Sequence, residues 1–283
     1  MPTVALAADT GSVNNDWISG NGQLNVTLET DAIWYYSLNG GATFTQGSGA
    51  SFTLEEGTYL ANSIQVYQVD KAGNQSDVWQ SPQVQIITTP PEVKTVQLKS
   101  GYDTGLSDTD MVTNKQTLVF EGTVEGSVEK VTVTLNGAAE NVDVTGSTWE
   151  YAAPANLAAG EYTFTIYATD IAGNVSETVS KPVVIDTTKP DAPTGIVLTT
   201  DSGTQGDNKT NVAKPTFQGT AEANAQVKMV FDLGNSVTKT YTTTADNSGS
   251  WSLTVSEDLP DGPFSYIATT TDVAGNESDC RYR

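Results

Sequence analysis

Asp170-Ile171-Ala172-Gly173-Asn174-Val175-Ser176-Glu177 is the stretch that decides the fold, because close variants of it occur three times in the chain. The other copies begin at Asp70 and Asp272, which places the copies 100 residues (170 − 70) and 102 residues (272 − 170) apart. This spacing is too long for a solenoid repeat and close to the length of one small β domain. The sequence therefore predicts three domains, at residues 1–89, 90–188 and 189–283, the last with a truncated final strand.

Each copy of the motif joins two runs in which apolar and polar residues alternate, as in 162–168 before the second copy and 178–185 after it. Such a pattern predicts two strands connected by a tight turn. Gly173 and Asn174 tolerate positive φ, and an Asp side chain accepts hydrogen bonds from backbone amides two residues further on. A hairpin turn therefore explains the motif by itself, and a ligand role for its Asp requires partners from elsewhere.

Strand-forming Val, Ile, Leu, Tyr and Trp carry the apolar content, and no segment has the apolar spacing of a helix. About seven predicted strands per repeat, with turn signals about every 8 to 12 residues, are typical of an immunoglobulin-like sandwich. We predict an all-β chain of three tandem immunoglobulin-like β-sandwich domains in an extended rod. Trp149 and Trp251 occupy the same position in their repeats and are predicted to be core residues.

The net charge of −21 disfavours nucleic acid and anionic lipid as partners. The chain has no histidine and a single cysteine, Cys280, which excludes Ser-His-Asp and Cys-His catalysis, histidine-ligated zinc and an intrachain disulfide. No apolar run approaches the ~20 residues that span a bilayer, so no membrane insertion is expected. A divalent cation is the natural counter-ion for such an acidic chain.

Each repeat opens with an acidic loop between its first two strands, beginning at Asp9, Asp103 and Asp201. Strands of an immunoglobulin-like domain alternate in direction, so this loop should lie at the C-terminal end of its domain. The Asp-x-Ala-Gly-Asn turn should lie at the N-terminal end of the following domain. We therefore expect the acidic loop, the linker and the next turn to meet at one junction.

Carboxylates that meet at a junction need a counter-charge, because like charges about 4 Å apart repel by several kcal/mol. Ca2+ suits them, since it accepts about 6 to 8 oxygen ligands in irregular geometry, whereas Mg2+ requires an octahedron. The predicted ligands of the second junction are Asp103, Asp108, Asp110, Asp186 and Asp272, with Asp191 nearby. Those of the first junction are Asp9, Asp16 and Asp170, and Asp201 and Asp207 would need a further domain. The alternative is that these acids are solvated turn residues.

The two junctions differ in charge. The first linker has Thr88 and Thr89, whereas the second has Asp186. The second junction is therefore expected to bind Ca2+ more tightly than the first.

The three turns, the linker 186–190 (Asp-Thr-Thr-Lys-Pro) and the hairpin 36–41 (Tyr-Ser-Leu-Asn-Gly-Gly) together resemble the tandem bacterial Ig-like repeats of giant surface adhesins exported by type I secretion. The resemblance covers all three repeats, although the first repeat has no Trp at the position of Trp149 and carries Trp34 instead. It implies a secreted, cell-surface protein for adhesion and virulence, in which Ca2+ rigidifies a rod that presents an adhesive tip. The implied partners are neighbouring repeats of a monomer and, through the full-length protein, a host receptor or glycan.

Two other functions are considered. A carbohydrate-binding module would use exposed aromatic side chains of the first repeat, for which the candidates are Trp17, Trp34, Tyr35, Tyr36 and Trp79. An enzyme would need two carboxylates set apart by their environments, and loops repeated three times indicate a structural role instead. No enzymatic activity is expected.

Overall fold

The computed structural model describes residues 1–234 and 236–282, and its regular elements are all β-strands. Arg283, the last residue of the predicted third domain, lies outside the described residues. In the described part of the chain, no helix has the length and apolar character needed to cross a membrane.

The strands follow the order of the three predicted repeats. The first repeat contains β1 (Thr3–Leu6), β2 (Ile18–Ser19), β3 (Gln23–Thr27), β4 (Ile33–Ser37), β5 (Thr45–Gln46), β6 (Ser51–Thr53), β7 (Gly57–Tyr59), β8 (Gln65–Val69), β9 (Trp79–Gln80) and β10 (Val84–Ile86). The second contains β11 (Glu92–Leu98), β12 (Val112–Thr113), β13 (Val119–Glu125), β14 (Val128–Leu135), β15 (Ala138–Thr145), β16 (Thr148–Ala152), β17 (Gly160–Asp170) and β18 (Val179–Ile185). The third contains β19 (Thr194–Leu198), β20 (Thr216–Thr220), β21 (Gln226–Asp232), β22 (Thr238–Thr244), β23 (Ser250–Thr254), β24 (Ser265–Thr271) and β25 (Arg281–Tyr282).

The chain divides into two compact units. The first unit comprises residues 1–96, 121–151 and 164–180, so the whole first repeat is grouped with the turn 170–177 of the second. The second unit comprises 97–120, 152–163 and the chain from 181 onward, so the acidic loop of the second repeat is grouped with the third repeat. Each acidic loop therefore shares a unit with the turn of the following repeat.

In the first unit, the first repeat has three small sheets, ordered β1-β3-β6, β2-β10-β7 and β5-β4-β8-β9. Every second side chain of each strand faces a shared core, because successive residues of a strand point to opposite sides of the sheet. Trp34 is part of this core and has only 2% of its surface exposed. The remaining fully buried positions are Leu24, Ile64, Val66, Val84 and Ile86. The same unit contains the antiparallel pairs β14 with β15 and β14 with β17.

In the second unit, the third repeat has two sheets, ordered β19-β20-β23 and β22-β21-β24-β25. Phe217, Phe231 and Trp251 lie in its core with Met229 and Tyr266. Trp251 is 4% exposed and Trp149 of the first unit is 3% exposed, which confirms the predicted core role of both tryptophans. The second unit also contains a parallel pair of β12 with β18, in which Val112 is opposite Val184.

Candidate metal centre

The three Asp-x-Ala-Gly-Asn turns are closed by their own side chains. In the second copy, Asp170 Oδ1 accepts hydrogen bonds from the backbone amides of Ala172 (2.9 Å) and Asn174 (2.8 Å). Its Oδ2 accepts a bond from Asn174 Nδ2 at 2.8 Å. Gly173 has φ of +84°, as the turn requires. Three of the roughly four acceptor sites of this carboxylate are therefore used by the turn itself.

The other two copies repeat this arrangement. Asp70 accepts the Asn74 amide and Asn74 Nδ2 at 2.8 and 2.9 Å. Asp272 accepts the Asn276 amide and Asn276 Nδ2 at 2.9 and 2.8 Å. The hydrogen bonds from Asn74 also lower the pKa of Asp70. The first role of Asp170 and Asp272 is thus to shape the turn, and their predicted role as metal ligands stays a prediction.

Within the first unit, the second turn docks directly on the first acidic loop. The Thr10 hydroxyl donates a hydrogen bond to the Ala172 carbonyl, and Asn174 Nδ2 donates one to the Ile87 carbonyl at 2.6 Å. The approach is close, because a Cβ added to Gly11 would lie 2.2 Å from the Ile171 carbonyl oxygen. The predicted meeting of loop, linker and turn therefore occurs here through protein hydrogen bonds.

The second unit contains the equivalent contacts between the second acidic loop and the third turn. Thr104 Oγ1 donates to the Ala274 carbonyl at 2.7 Å, and Asn276 Nδ2 donates to the Asp186 carbonyl at 2.8 Å. Here a Cβ on Gly105 would lie 2.0 Å from the Val273 carbonyl oxygen. In each unit, a Thr-Gly pair of the acidic loop, Thr10-Gly11 or Thr104-Gly105, therefore contacts the turn of the following repeat.

Each acidic loop holds one buried carboxylate oxygen that has no hydrogen-bond partner among the described residues. These atoms are Asp9 Oδ1, Asp103 Oδ1 and Asp201 Oδ1, at the same position of the three loops. The second oxygen of each carboxylate accepts a backbone amide of its own loop, at 2.7 Å for Asp9, 3.1 Å for Asp103 and 2.6 Å for Asp201. Loop geometry thus fixes the carboxylate and leaves one oxygen unsatisfied in the protein.

Asp103 is the most buried of the three, with 8% of its surface exposed. Burial raises the pKa of the Asp103 carboxyl, and the Asp110 and Asp108 carboxylates of the same loop raise it further. Asp110 itself caps the end of the loop by accepting the Val112 amide at 3.0 Å, as Asp16 and Asp207 do in the other loops. The second loop therefore concentrates negative charge around a buried oxygen that lacks a donor.

A separate acidic group surrounds the second linker. Partial desolvation raises the pKa of Glu222, although the residue is exposed, and the nearby carboxylates of Asp272, Asp186 and Asp191 raise it further. Asp191 and Glu222 line one surface cleft. Glu222 was not among the predicted site residues, although aligning 120–125 (Phe-Glu-Gly-Thr-Val-Glu) with 217–222 (Phe-Gln-Gly-Thr-Ala-Glu) would have identified the position.

At the first linker, a lysine neutralises the acidic side chains. Lys94 forms ion pairs with Glu92 at 2.5 Å and with Glu125, the counterpart of Glu222, at 2.8 Å. Ile87 stands where the second linker has Asp186. Across residues 1–234 and 236–282, no lysine or arginine forms an ion pair with Asp186, Asp191, Glu222 or Asp272. The second linker is thus the more acidic one, and its lysine, Lys189, pairs with Asp279 at 3.5 Å rather than with any of these four acids.

This contrast predicts that a Glu→Gln substitution has opposite effects on the stability of the folded protein at the two linkers. Glu222→Gln should raise the stability of the metal-free protein at neutral pH, because the raised pKa of Glu222 means that its charge opposes folding. Glu125→Gln should lower stability, because Lys94 lowers the pKa of Glu125 and its charge favours folding. Both substitutions remove one negative charge, so each controls for net charge. The melting temperatures of the two variants at pH 7 test this prediction. Equal changes in melting temperature would contradict the different roles given to Glu222 and Glu125.

The ten predicted ligands belong to the two junctions and to the third acidic loop. In the part of the chain that the structure describes, no three Asp, Glu or Cys side chains are grouped so that they could hold a metal ion. The acids of the second junction instead form the loop group of Asp103, Asp108 and Asp110 and the linker group of Asp186, Asp191, Glu222 and Asp272. Their assignment as Ca2+ ligands stays a prediction.

The aromatic residues of the first repeat divide between core and surface. Trp34 is buried, and its Nε1 donates to the Gly49 carbonyl at 2.9 Å, while Tyr36 stacks on Phe52 in the core. Tyr35 stacks on Tyr67 with ring centroids 5.2 Å apart, and both rings are half-buried. The remaining pair, Trp17 and Trp79, have centroids 5.9 Å apart and pack against the core.

Taken together, the all-β elements and paired sheets define tandem immunoglobulin-like domains. The chain belongs to the bacterial Ig-like domain family, which matches it at residues 89–187 and 189–282.

Several solved structures match over much of the chain. The tetra-tandem repeat in the extending region of a large adhesion protein is 19% identical, with 100% of this chain and 73% of that chain covered and a TM-score of 0.29. A 1.5-MDa bacterial ice-binding adhesin is 20% identical, with 99% and 95% covered and a TM-score of 0.35. Fibronectin(III)-like modules of Clostridium thermocellum CbhA are 16% identical, with 66% and 94% covered and a TM-score of 0.36. No curated protein matches the chain.

Proposed function

We propose that the chain is a structural repeat segment of a bacterial surface adhesin, in which Ca2+ stiffens a rod that presents an adhesive tip to host cells or surfaces. In this proposal the parent protein is secreted by type I export and remains at the cell surface as a monomer. Membership of the bacterial Ig-like family supports it, as does the resemblance of the turn and linker motifs to the giant adhesin of Salmonella. The receptor or glycan is contacted by the full-length protein, and the segment performs no catalysis.

The observation that carries the Ca2+ part of the proposal is the unsatisfied oxygen of Asp9, Asp103 and Asp201. A buried carboxylate oxygen without a donor is costly, and a cation removes this cost. Oxygen donors alone are available in these loops, which suits Ca2+ rather than a metal that prefers nitrogen or sulfur. In the second loop, Asp103 would hold the ion together with Asp110, and backbone carbonyls and water would complete the coordination, since no three acids are grouped for this among the described residues.

The position of these loops links ion binding to stiffness. Thr104 and Gly105 directly follow Asp103 and contact the third turn at Ala274 and Val273. An ion that holds Asp103 and Asp110 together also orders the surface on which this turn docks. Ca2+ would then favour the docked arrangement by the difference in its affinity for the docked and undocked states.

Thermal unfolding and solution scattering test the proposal together. Addition of Ca2+ at about 1 mM, near the usual affinity of extracellular sites, should raise the melting temperature and narrow the distribution of scattering dimensions. Mg2+ at the same concentration should do so less. A chain whose melting temperature and scattering are unchanged by Ca2+ would disprove the stiffening role.

The buried charge of Asp103 predicts a specific pH dependence. Since the folded-state pKa of Asp103 is raised, its ionisation lowers stability as the pH rises from the ordinary carboxyl pKa through the raised value. Asp103→Asn should therefore be more stable than wild type at neutral pH without Ca2+, and the difference should vanish in acid. The comparison is between metal-free melting temperatures at pH 7 and below pH 4. A destabilised variant at pH 7 would contradict the inference.

A carbohydrate-binding role is the second candidate, and one surface feature favours it. Tyr35 and Tyr67 lie on the outer face of the sheet that contains β4 and β8, with Phe44 against Tyr67 at 4.9 Å. Half-buried aromatic rings on an open sheet face are suitable for stacking against a sugar. A glycan array with wild type and Tyr35→Ala tests this role, which predicts binding that the substitution abolishes. Binding to no glycan would leave the structural role alone.

A further inference from the structure

Asparagine is followed by glycine at three places in the chain, residues 21–22, 39–40 and 136–137. Such a pair is chemically labile, because the asparagine side chain can react with the next backbone amide and glycine has no Cβ to obstruct the approach. The tripeptides 38–40 and 135–137 are both Leu-Asn-Gly. Their intrinsic reactivity is therefore the same, and a difference between them in the folded chain comes from structure alone.

The pair at 136–137 forms the tip of the hairpin that joins β14 to β15. These strands are paired up to Leu135 opposite Ala138, so Asn136 and Gly137 make a two-residue turn. Both have the positive φ that such a turn requires, +58° for Asn136 and +82° for Gly137. Both are exposed, and among the described residues neither the Asn136 side chain nor the Gly137 amide has a hydrogen-bond partner. The two reacting groups are therefore free to approach each other.

The pair at 39–40 has the same local sequence, but both of its reacting groups are held. The Gly40 amide donates a hydrogen bond to the Ser63 carbonyl at 2.9 Å. Asn39 Oδ1 accepts one from the Thr43 amide at 3.0 Å and one from the Ser37 hydroxyl at 2.8 Å. Asn39 Nδ2 donates to the Thr43 hydroxyl at 2.9 Å. Rotation of this side chain toward the Gly40 nitrogen would break these bonds, and the loss of each is unfavourable.

The pair at 21–22 is held by packing. Gly22 is buried, and a Cβ added to it would lie 2.1 Å from the Leu54 carbonyl oxygen. The Gly22 carbonyl accepts a hydrogen bond from the Leu54 amide at 2.8 Å, and Asn21 Oδ1 accepts one from the Gln23 amide at 3.0 Å. The backbone rotation that the reaction needs is therefore blocked by the segment that follows β6.

We propose that Asn136 is a self-modification site, at which the folded chain converts the Asn136-Gly137 linkage to aspartate and isoaspartate well ahead of its two other Asn-Gly pairs. The modification goes beyond the structural role of the chain and does not depend on Ca2+. Hydroxide removes the proton of the Gly137 amide, and the amide nitrogen attacks Asn136 Cγ. The N–Cγ bond forms, the Cγ–Nδ2 bond breaks, and Nδ2 takes a proton from water and leaves as ammonia. The product is a five-membered succinimide ring.

Hydrolysis of this ring gives two products. Water that adds at Cγ restores the original main chain and leaves an aspartate, whereas water that adds at the backbone carbonyl leaves the chain connected through Cγ as isoaspartate. Each product adds one negative charge to the hairpin tip. Isoaspartate also lengthens the main chain by one carbon atom, which a two-residue turn does not accommodate. The terminal pair of Leu135 and Ala138 is therefore expected to open.

Peptide mapping of the intact chain by mass spectrometry tests the proposal. During incubation at mildly alkaline pH, which favours the deprotonated amide, the peptide that contains Asn136 should gain about one dalton at least about tenfold faster than the peptide that contains Asn39. In the chain unfolded by guanidinium, the two Leu-Asn-Gly sites should react at equal rates. Equal rates at these sites in the folded chain, or a faster reaction at Asn39 or Asn21, would overturn the proposal.

Two variants test the structural explanation. Thr43→Ala removes the hydrogen bond to Asn39 Nδ2 and should speed the reaction at Asn39 by about two- to tenfold, the equivalent of one hydrogen bond, without changing the rate at Asn136. Asn136→Asp has the charge of the products with an unaltered main chain. The Ala138 amide should therefore exchange its hydrogen faster in the isoaspartyl form than in Asn136→Asp. An unchanged rate at Asn39 in the first variant, or equal exchange in the second comparison, would contradict the inference.

Discussion

Gly105→Ala is expected to undock the third turn from the second acidic loop. Gly105 has φ of +102°, and an added Cβ would lie 2.0 Å from the Val273 carbonyl oxygen and 2.9 Å from the Ala274 carbonyl carbon. Neither contact is with a flexible side-chain end, so the backbone must move apart. We expect a loss of about 1–3 kcal/mol in local stability, measured as faster amide exchange at Leu106, whose amide bonds to the Val273 carbonyl.

Gly101→Ala is the matched control for this substitution. Gly101 lies just before the same loop and has φ of +83°, but a Cβ there would meet nothing within 4 Å. Both substitutions place an alanine at a positive φ, which is unfavourable, but only Gly105→Ala also creates a clash with the backbone of the third turn. If the two variants exchange the Leu106 amide at the same rate, close docking of loop and turn is not what protects this amide.

Phe231→Ala is expected to cost the third repeat about 3–5 kcal/mol of unfolding free energy. Phe231 is completely buried on β21, and its ring centroid lies 5.3 Å from Phe217, 5.6 Å from Phe264 and 5.9 Å from Tyr266. Its removal leaves a void that these three neighbours cannot fill. Hydrogen exchange along β21 and β24 measures the loss.

Phe264→Ala should be milder, although it removes the same atoms from the same aromatic cluster. Phe264 is only half-buried and lines a cavity of about 550 Å3 that opens onto the core of the third repeat. Less apolar surface leaves water when it packs, so less free energy is lost with it. A Phe264→Ala variant as unstable as Phe231→Ala would show that the cavity is closed in solution.

The fold was predictable because it depends on local patterns. Alternating residues predicted strands such as 162–168, which lies within β17, and the recurring turn showed how the repeats align with one another. Trp149 and Trp251 were correctly predicted to be core residues, because each lies at the second position of an alternating strand and faces inward. Trp34 of the first repeat, a candidate for an exposed sugar-binding surface, is instead buried, because the alternation of β4 places it on the inner face.

The candidate site was less predictable, because the use of an Asp side chain depends on its neighbours in space. Sequence spacing correctly indicated that loop, linker and turn meet, but the contacts come from Thr104, Gly105 and Asn276 as much as from acids. It could not tell that Asp272 is occupied by its own turn while Asp103 keeps a free buried oxygen. Both are Asp residues in Gly-containing loops, and only backbone geometry separates them.

Calorimetric titration of Ca2+ into the metal-free chain is the most direct test of the account. Wild type should release or absorb saturable heat with a dissociation constant of about 10⁻⁴ to 10⁻³ M. Asp103→Asn should lose one binding event, while Asp143→Asn, which changes an exposed carboxylate on β15 of the same repeat, should bind as wild type does. No saturable heat in wild type, or an unchanged isotherm in Asp103→Asn, would contradict the account.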